Sequence, residues 1–150
     1  WTVLITPGHH PGHICLSSPA GIVAGDMVAG IGTILIPPGT GDMDVYIEQL
    51  ERLRELKPHL LFPSHGPVIP LPEKTLSYYI KHRKQRHQRV LEAVEFGHKT
   101  ISAIATMAYS DSPDAHPGLA QDQTLAHLLS HERMGLVEQQ SNGWNLRGVE

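Results

Sequence analysis

Three short apolar runs in this chain each end at a Pro- or Gly-containing turn that carries a histidine or an aspartate. These turns are residues 6–13 (TPGHHPGH), residues 25–26 (GD) and residues 63–66 (PSHG). Pro fixes its own φ and Gly permits tight turns, so side chains held there have limited freedom. Imidazole nitrogen and carboxylate oxygen are ligands for zinc and other first-row transition metals. The pattern therefore indicates a metal site built from the ends of strands.

Short apolar runs and the turn residues between them divide the first half of the chain into short strands and one helix. Strands are predicted at residues 2–5, 13–17, 21–24 and 60–62. Asp42 or Asp44 can cap a helix that runs to about Lys57, and Pro58 ends it because the residue before proline disfavours helical backbone. Residues 28–41, before this helix, form a Gly- and Pro-rich loop. That loop could line a pocket entrance or pack as a simple crossover.

The second half of the chain predicts a long helix, residues 73–96, followed by a small helical unit. Charged residues such as Arg83 interrupt the apolar stripe of the long helix, so it either changes packing surface or passes a polar site. A helix capped by Thr100 and a helix at residues 120–133 come next. Asn142-Gly143 lies between two apolar runs and predicts a hairpin. We interpret the tail as a winged-helix-like domain.

The order TPGHxPGH, GD and then PxHGP resembles the second half of the metallo-beta-lactamase fold, also seen in glyoxalase II-type hydrolases. The long basic helix and the tail after His65 resemble the beta-lactamase-like-protein-2 group, whose animal members are described as endoribonucleases. The resemblance implies an α/β (α+β) fold, the C-terminal half of a four-layer αββα sandwich. It divides the chain into a half-domain at residues 1–71, a connecting helix at residues 72–98 and a winged-helix-like domain at residues 99–150.

The same resemblance implies a site for two metal ions, expected to be zinc, with another first-row transition metal as the alternative. His9 would bind one ion, His65 the other, and Asp26 both. His82 and Arg83 in the long helix are candidate substrate contacts, because the Arg fork matches two oxygens of a phosphate or carboxylate. No other catalytic residue is assigned.

The other two histidines of the first motif, His10 and His13, are not expected to bind metal. His13 is expected to pack or to donate and accept hydrogen bonds beneath the site. His10 stands where threonine is more common in the family, and we expect it to face solvent.

One motif of the family is missing. An upstream strand-end HxHxDH, which supplies further metal ligands, does not occur in this sequence. The chain also lacks an initiator Met and opens at Trp1 inside an apparent strand, so we expect it to be the C-terminal half of a longer protein. The chain alone is expected to be inactive, with at most an incompletely surrounded metal site.

The expected function of the parent protein is a metallo-hydrolase that activates a metal-bridging water to hydrolyse a small ester or thioester. A net charge of -3 fits that substrate better than nucleic acid. An endoribonuclease acting on single-stranded RNA is the alternative, since residues 72–99 carry seven Lys and Arg against three Asp and Glu. A third possibility is a packing or dimer module with vestigial ligands.

Composition limits the partners and the compartment. Residues 120–133 contain Arg133 as their only Lys or Arg, so we expect no DNA binding by the tail, which instead caps substrate access or forms a homodimer contact. No apolar stretch approaches the roughly 18–20 residues of a membrane helix, so no membrane association is expected. Cys15 is the only cysteine and lies in a predicted buried strand, which favours a reducing compartment and predicts a cytoplasmic protein.

Overall fold

The structure, a computed structural model, describes residues 1–148. It contains two compact units, Trp1–Arg83 and the residues from Lys84 onward. The division falls inside the predicted connecting helix, and the proposed boundaries at residues 71 and 98 stay predictions. The last two residues of the predicted 99–150 domain lie outside the described residues.

A four-stranded sheet organises the Trp1–Arg83 unit. Its strands are β1 (Thr2–Ile5), β2 (Ile14–Ser18), β3 (Gly21–Gly25) and β4 (Leu61–Pro63). They are ordered β1-β2-β3-β4, and the first three are antiparallel while β3 and β4 are parallel. The predicted strands are confirmed to within one residue at each end. Because β3 and β4 run parallel, the turns that follow them lie at the same edge of the sheet.

The two faces of this sheet differ in exposure. One face carries buried residues on three strands, among them Cys15, Ala24 and Leu61. The opposite face carries Val3 and Val23, which are both exposed and both paired with Leu16. An apolar row therefore crosses the strands on a face that the described residues leave open to solvent.

Helix α1 (Met43–Glu55) begins and ends where its sequence dictates. The Asp42 side chain caps it by accepting hydrogen bonds from the backbone N–H groups of Asp44 and Val45. After the helix, Lys57 adopts a positive φ of 47° and Pro58 follows. The predicted helix is confirmed, and its inward residues such as Leu50 are fully buried.

Helix α2 (Pro72–Glu95) is the long helix that the sequence predicts. The charged residues that interrupt its apolar stripe lie inside the fold, because Arg83 and Arg86 are both buried. The unit boundary falls between them. Across residues 1–148, no helix combines the length and the apolar character required to cross a membrane.

The second unit contains α3 (Ile101–Ala108), α4 (Pro117–Arg133), β5 (Val137–Gln140) and β6 (Gly143–Leu146). Thr100 caps α3 through its side chain, as predicted. Helix α4 begins three residues before the predicted start at residue 120. Pro117 is its first residue, and a proline is favourable there because its missing N–H would have no helical acceptor. The predicted start at residue 120 was therefore wrong.

A buried apolar cluster holds the second unit together. Its members are Val90, Ala93, Val94, Ile104, Ala108, Leu128, Val137 and Trp144. The predicted hairpin is confirmed, with β5 and β6 joined by a two-residue turn and Gly143 at a φ of 112° against the Lys99 carbonyl. The winged-helix assignment of the tail stays a prediction.

Candidate metal centre

Asp26 lies between two histidines that are distant from it in the sequence. Its Oδ2 atom is 3.7 Å from His9 Nε2, and its Oδ1 atom is 3.3 Å from His65 Nε2. The three residues predicted as ligands are therefore brought together, each histidine facing a different oxygen of one carboxylate. His65 is the most accessible of the three, with 72% of its side chain exposed.

Turns at one edge of the sheet deliver these side chains. His9 lies between β1 and β2, Asp26 follows β3, and His65 follows β4. The Ser64 N–H donates to the Gly25 carbonyl at 3.1 Å, which fixes the turns after β3 and β4 to each other. The convergence of Asp26 and His65 thus follows from the parallel pairing of their strands.

A backbone carbonyl orients the His9 ring. His9 Nδ1 is 2.8 Å from the Leu35 carbonyl oxygen. A carbonyl can only accept a hydrogen bond, so Nδ1 carries the proton and donates it. Neutral imidazole then has its lone pair at Nε2, the atom directed at Asp26. Histidines that bind metals commonly have their second nitrogen fixed in this way.

His13 supports Asp26 from below. The Asp26 backbone N–H donates to His13 Nε2 at 3.1 Å, so the ring proton lies on Nδ1 and is donated to Thr6 Oγ1 at 2.9 Å. Thr6 Oγ1 is also 3.3 Å from Cys15 Sγ. Burial lowers the pKa of His13, although the nearby Asp26 carboxylate acts in the opposite direction. A lowered pKa favours the neutral ring, which is the form that can accept a hydrogen bond from the Asp26 amide. The predicted structural role of His13 is confirmed.

Gly25 leaves space for that support. It has a φ of +54°, and a Cβ atom at this position would lie 2.6 Å from His13 Nε2. Only glycine therefore satisfies both the backbone conformation and the approach of the ring.

The donor set fits a metal. Asp26 Oδ1 is buried and makes no hydrogen bond within the described part of the chain. Two ligands of one tetrahedral zinc ion, at about 2.1 Å each, lie roughly 3.4 Å apart, close to the spacing of each histidine from Asp26. Among residues 1–148, however, no group of three or more His, Cys, Asp or Glu side chains is arranged to hold a metal ion by itself. The structure thus presents two His–Asp pairs that share one carboxylate.

The Gly- and Pro-rich loop beside His9 is fixed by hydroxyl groups. Tyr46 donates to the Met27 carbonyl at 2.7 Å, and Tyr79 accepts from Ala29 N–H and donates to the Gly32 carbonyl, both at 2.9 Å. Burial raises the pKa of both phenols, so their hydroxyls remain protonated. Both tyrosines lie on helices, and the spacing of apolar residues there gives no signal for these hydrogen bonds.

Within the loop, Ile34 and Ile36 are buried. Of the two predicted roles for this segment, the structure thus shows a packed crossover at these residues. Ala29, Gly30 and Gly32 of the same loop line a cavity together with Tyr78 and Tyr79, so the alternative role at a pocket stays a prediction for that part of the loop.

The two candidate substrate contacts occupy different environments. Arg83 is only 2% exposed, donates to the Ile34 carbonyl, and lies 5.5 Å above the Tyr46 ring centroid. His82 is half-buried and stacks on the Tyr78 ring at 5.9 Å. The burial of Arg83 argues against the predicted contact with a substrate, because its guanidinium already binds the protein backbone.

Comparisons with known proteins show which family this chain resembles. Residues 1–65 match the Metallo-beta-lactamase superfamily. The chain is 32% identical over 137 residues to "Beta-lactamase-like protein 2 homolog" of Drosophila melanogaster, covering 89% of this chain and 46% of the relative. It is 31% identical over 94 residues to "Atrochrysone carboxyl ACP thioesterase" of Aspergillus fumigatus, covering 61% of this chain and 29% of the relative.

Solved structures show the same fold. A metallo-beta-lactamase family protein from Thermus thermophilus superposes with a TM-score of 0.78 at 22% identity, over 97% of this chain and 48% of that protein. A beta-lactamase domain protein from Burkholderia ambifaria gives a TM-score of 0.78 at 23% identity, over 97% and 47%. The chain spans about half the length of the relatives it matches. The family match of residues 1–65, the named relatives and the mixed α+β fold together relate this chain to the metallo-beta-lactamase superfamily.

Proposed function

We propose that this chain supplies one side of the metal centre of a hydrolase that cleaves a small ester or thioester. The observation that carries the proposal is the placement of His9 and His65 on opposite oxygens of Asp26. A carboxylate between two imidazoles is suited to holding two cations, and the lone pair of His9 Nε2 is available for one of them.

In this proposal each residue has a defined task. His9 and His65 would each hold one ion, and Asp26, which lies between them, would help to hold both. His13 holds the Asp26 backbone, and the Leu35 carbonyl holds the His9 ring. Zinc ions or other first-row transition metals would supply, when bound, a water of lowered pKa for ester hydrolysis near neutral pH.

Two ligand pairs do not complete a metal site. We propose that the remaining ligands come from an HxHxDH segment, the motif that this family places upstream and that this sequence lacks. This accords with a chain that spans about half the length of its relatives.

A thioester is the favoured substrate class. Support comes from the Aspergillus fumigatus relative, whose name describes a thioesterase. Single-stranded RNA is the second candidate, because α2 carries exposed cations such as Lys84. The burial of Arg83 weakens that candidate, since it withdraws the guanidinium best suited to a phosphate.

Metal analysis of the protein at its natural full length tests the centre. We expect two zinc or cobalt ions per chain by elemental analysis after equilibrium dialysis. Asp26→Ala should lose both ions, whereas His9→Ala and His65→Ala should each lose one. Asp114→Asn, at an exposed acidic residue, is the matched control and should retain both. Full metal content in Asp26→Ala, or none in the wild type, would contradict the proposal and favour a packing or dimer module.

Parallel assays with an acyl thioester and a labelled single-stranded RNA separate the two substrates. We expect metal-dependent thioester hydrolysis that Lys84→Glu leaves intact. RNA cleavage that is lost in Lys84→Glu, without thioester hydrolysis in the wild type, would instead establish the nuclease.

A further inference from the structure

We propose that Arg83 is a positioning residue that sets the orientation and the protonated nitrogen of His9 by fixing the Ile34–Leu35 peptide. The inference rests on the proposed function, in which His9 binds a metal ion through Nε2. It replaces the expectation that Arg83 contacts substrate.

Two hydrogen bonds on consecutive carbonyls carry the proposal. Arg83 Nη2 donates to the Ile34 carbonyl, and the next carbonyl, that of Leu35, accepts from His9 Nδ1 at 2.8 Å. One residue, Leu35, therefore separates the group that the guanidinium binds from the group that orients His9. The two carbonyls belong to neighbouring planar peptides that meet at the Leu35 Cα atom, so a displacement of the Ile34 carbonyl reaches the Leu35 carbonyl through the Leu35 backbone.

The Leu35 carbonyl is not fixed by its own side chain. Leu35 is 42% exposed, so its position depends on its neighbours in the loop. Tyr79, one helical turn before Arg83, binds Ala29 N–H and the Gly32 carbonyl. Residues at i and i+4 share one face of a helix, so α2 holds the loop at two places from the same face.

The chemistry of arginine suits this task. A buried cation is stable only where acceptors and polarisable groups surround it, and Arg83 has the Ile34 carbonyl and the face of the Tyr46 ring. The loop can be held by burial of Ile34 and Ile36 as well. Removing the charge while keeping an apolar side chain separates these two contributions.

The selection of one imidazole nitrogen follows from the geometry. Neutral imidazole carries one proton, and the hydrogen bond made by one nitrogen decides which nitrogen keeps its lone pair. With the Leu35 carbonyl in place, Nδ1 is protonated and Nε2 faces Asp26 at 3.7 Å. If the carbonyl moves, both tautomers become populated, and the fraction of His9 able to bind metal falls.

The test uses Arg83→Met, with Lys81→Met as the matched control at an exposed cation on the same helix. Long-range ¹H–¹⁵N NMR correlations of the metal-free protein report the tautomer of His9, whose signals are assigned with His9→Gln. We expect a single Nδ1–H tautomer in the wild type and in Lys81→Met, and a mixture in Arg83→Met. Affinity for Co²⁺ at the site that loses metal in His9→Ala should fall about tenfold or more.

Arg83→Lys provides a second variant if Arg83→Met does not fold, as judged by near-UV circular dichroism. A lysine ammonium donates to the Ile34 carbonyl without the planar fork, so we expect a smaller fraction of the Nδ1–H tautomer than in the wild type. A folded Arg83→Met or Arg83→Lys with the wild-type tautomer and wild-type affinity overturns the proposal. A tautomer mixture in Arg83→Met, in a protein whose wild type binds no metal, supports the positioning role while the proposed function fails.

Discussion

The Trp1–Arg83 unit and the unit that begins at Lys84 both bury an arginine of α2, but they use it differently. Arg83 binds the carbonyl of a loop that orients His9. Arg86, three residues later, binds the Ala108 carbonyl and the Asp111 carboxylate and lies 3.9 Å above the Tyr109 ring centroid. Arg83 therefore holds a loop of the candidate site, whereas Arg86 links α2 to the end of α3 and the loop after it within the second unit.

The contrast extends to the rest of each unit. In the first, polar groups such as the buried Tyr46 and Tyr79 and the half-buried His13 hold the backbone of segments that carry the site. In the second, an apolar cluster around Trp144 supplies the core. The first unit also has an apolar core, which includes Leu50 and Leu61, so the two units differ in which of them carries the candidate site. Substitutions in the core of the second unit should therefore lower stability without changing the site.

Trp144→Ala is expected to have the largest effect, a loss of about 3–5 kcal/mol in the free energy of unfolding, because it empties a buried site of aromatic size. Urea denaturation followed by circular dichroism measures it. Leu146→Ala, at a half-exposed position of the same hairpin, should cost less than about 1 kcal/mol. Metal affinity of the folded Trp144→Ala protein should equal that of the wild type. A lower metal affinity would show that the core of the second unit also determines the properties of the site.

His13→Phe should weaken metal binding about 10- to 100-fold, or roughly 1.4–2.7 kcal/mol, because Asp26 loses the acceptor of its backbone N–H. Competition with a chromophoric chelator measures the affinity. His10→Ala, at the exposed neighbouring histidine, is the control and should bind normally. Unchanged affinity in folded His13→Phe would show that Asp26 is positioned without this support.

Asp111→Asn should have the smallest effect, a destabilisation of about 1 kcal/mol at neutral pH, since Asp111 is half-exposed and solvent screens it. Burial alone would raise the pKa of Asp111, but hydrogen bonding and charge from Arg86, together with the Arg89 charge, outweigh it and lower the pKa. The carboxylate therefore stabilises the fold above its ordinary pKa near 3.8, and this stabilisation is lost as the pH falls through the lower folded value.

Denaturation of the wild type and Asp111→Asn at several pH values checks this expectation. The two unfolding free energies should differ at neutral pH and converge as the solution becomes more acidic than about pH 4. Asp114→Asn should match the wild type throughout. A difference that grows on acidification would show that Asp111 is not stabilised as its anion.

Much of the first unit could be predicted from the sequence because its signals are local. Turn residues mark the strand ends that carry His9, Asp26 and His65, and Asp42 marks the start of α1. The side chains meet because β3 and β4 pair in parallel, a long-range fact that no local pattern contains. Family resemblance supplied that expectation.

The role of Arg83 could not be predicted in the same way. Its acceptor, the Ile34 carbonyl, lies 49 residues away in sequence, and a basic helix usually indicates a solvated face. The early start of α4 at Pro117 was, in contrast, available in the sequence, since a proline at the first helical position is a recognised signal.

The hydrogen bond between Thr6 and Cys15 gives the centre a built-in probe. Cys15 is the only thiol of the sequence, it is fully buried, and burial raises its pKa, so the folded protein should react slowly with a disulfide reagent. Reaction requires the strands beneath Asp26 to separate. The rate of thiol modification would therefore report how often these strands open. A bound ligand that stabilises this region would slow the modification.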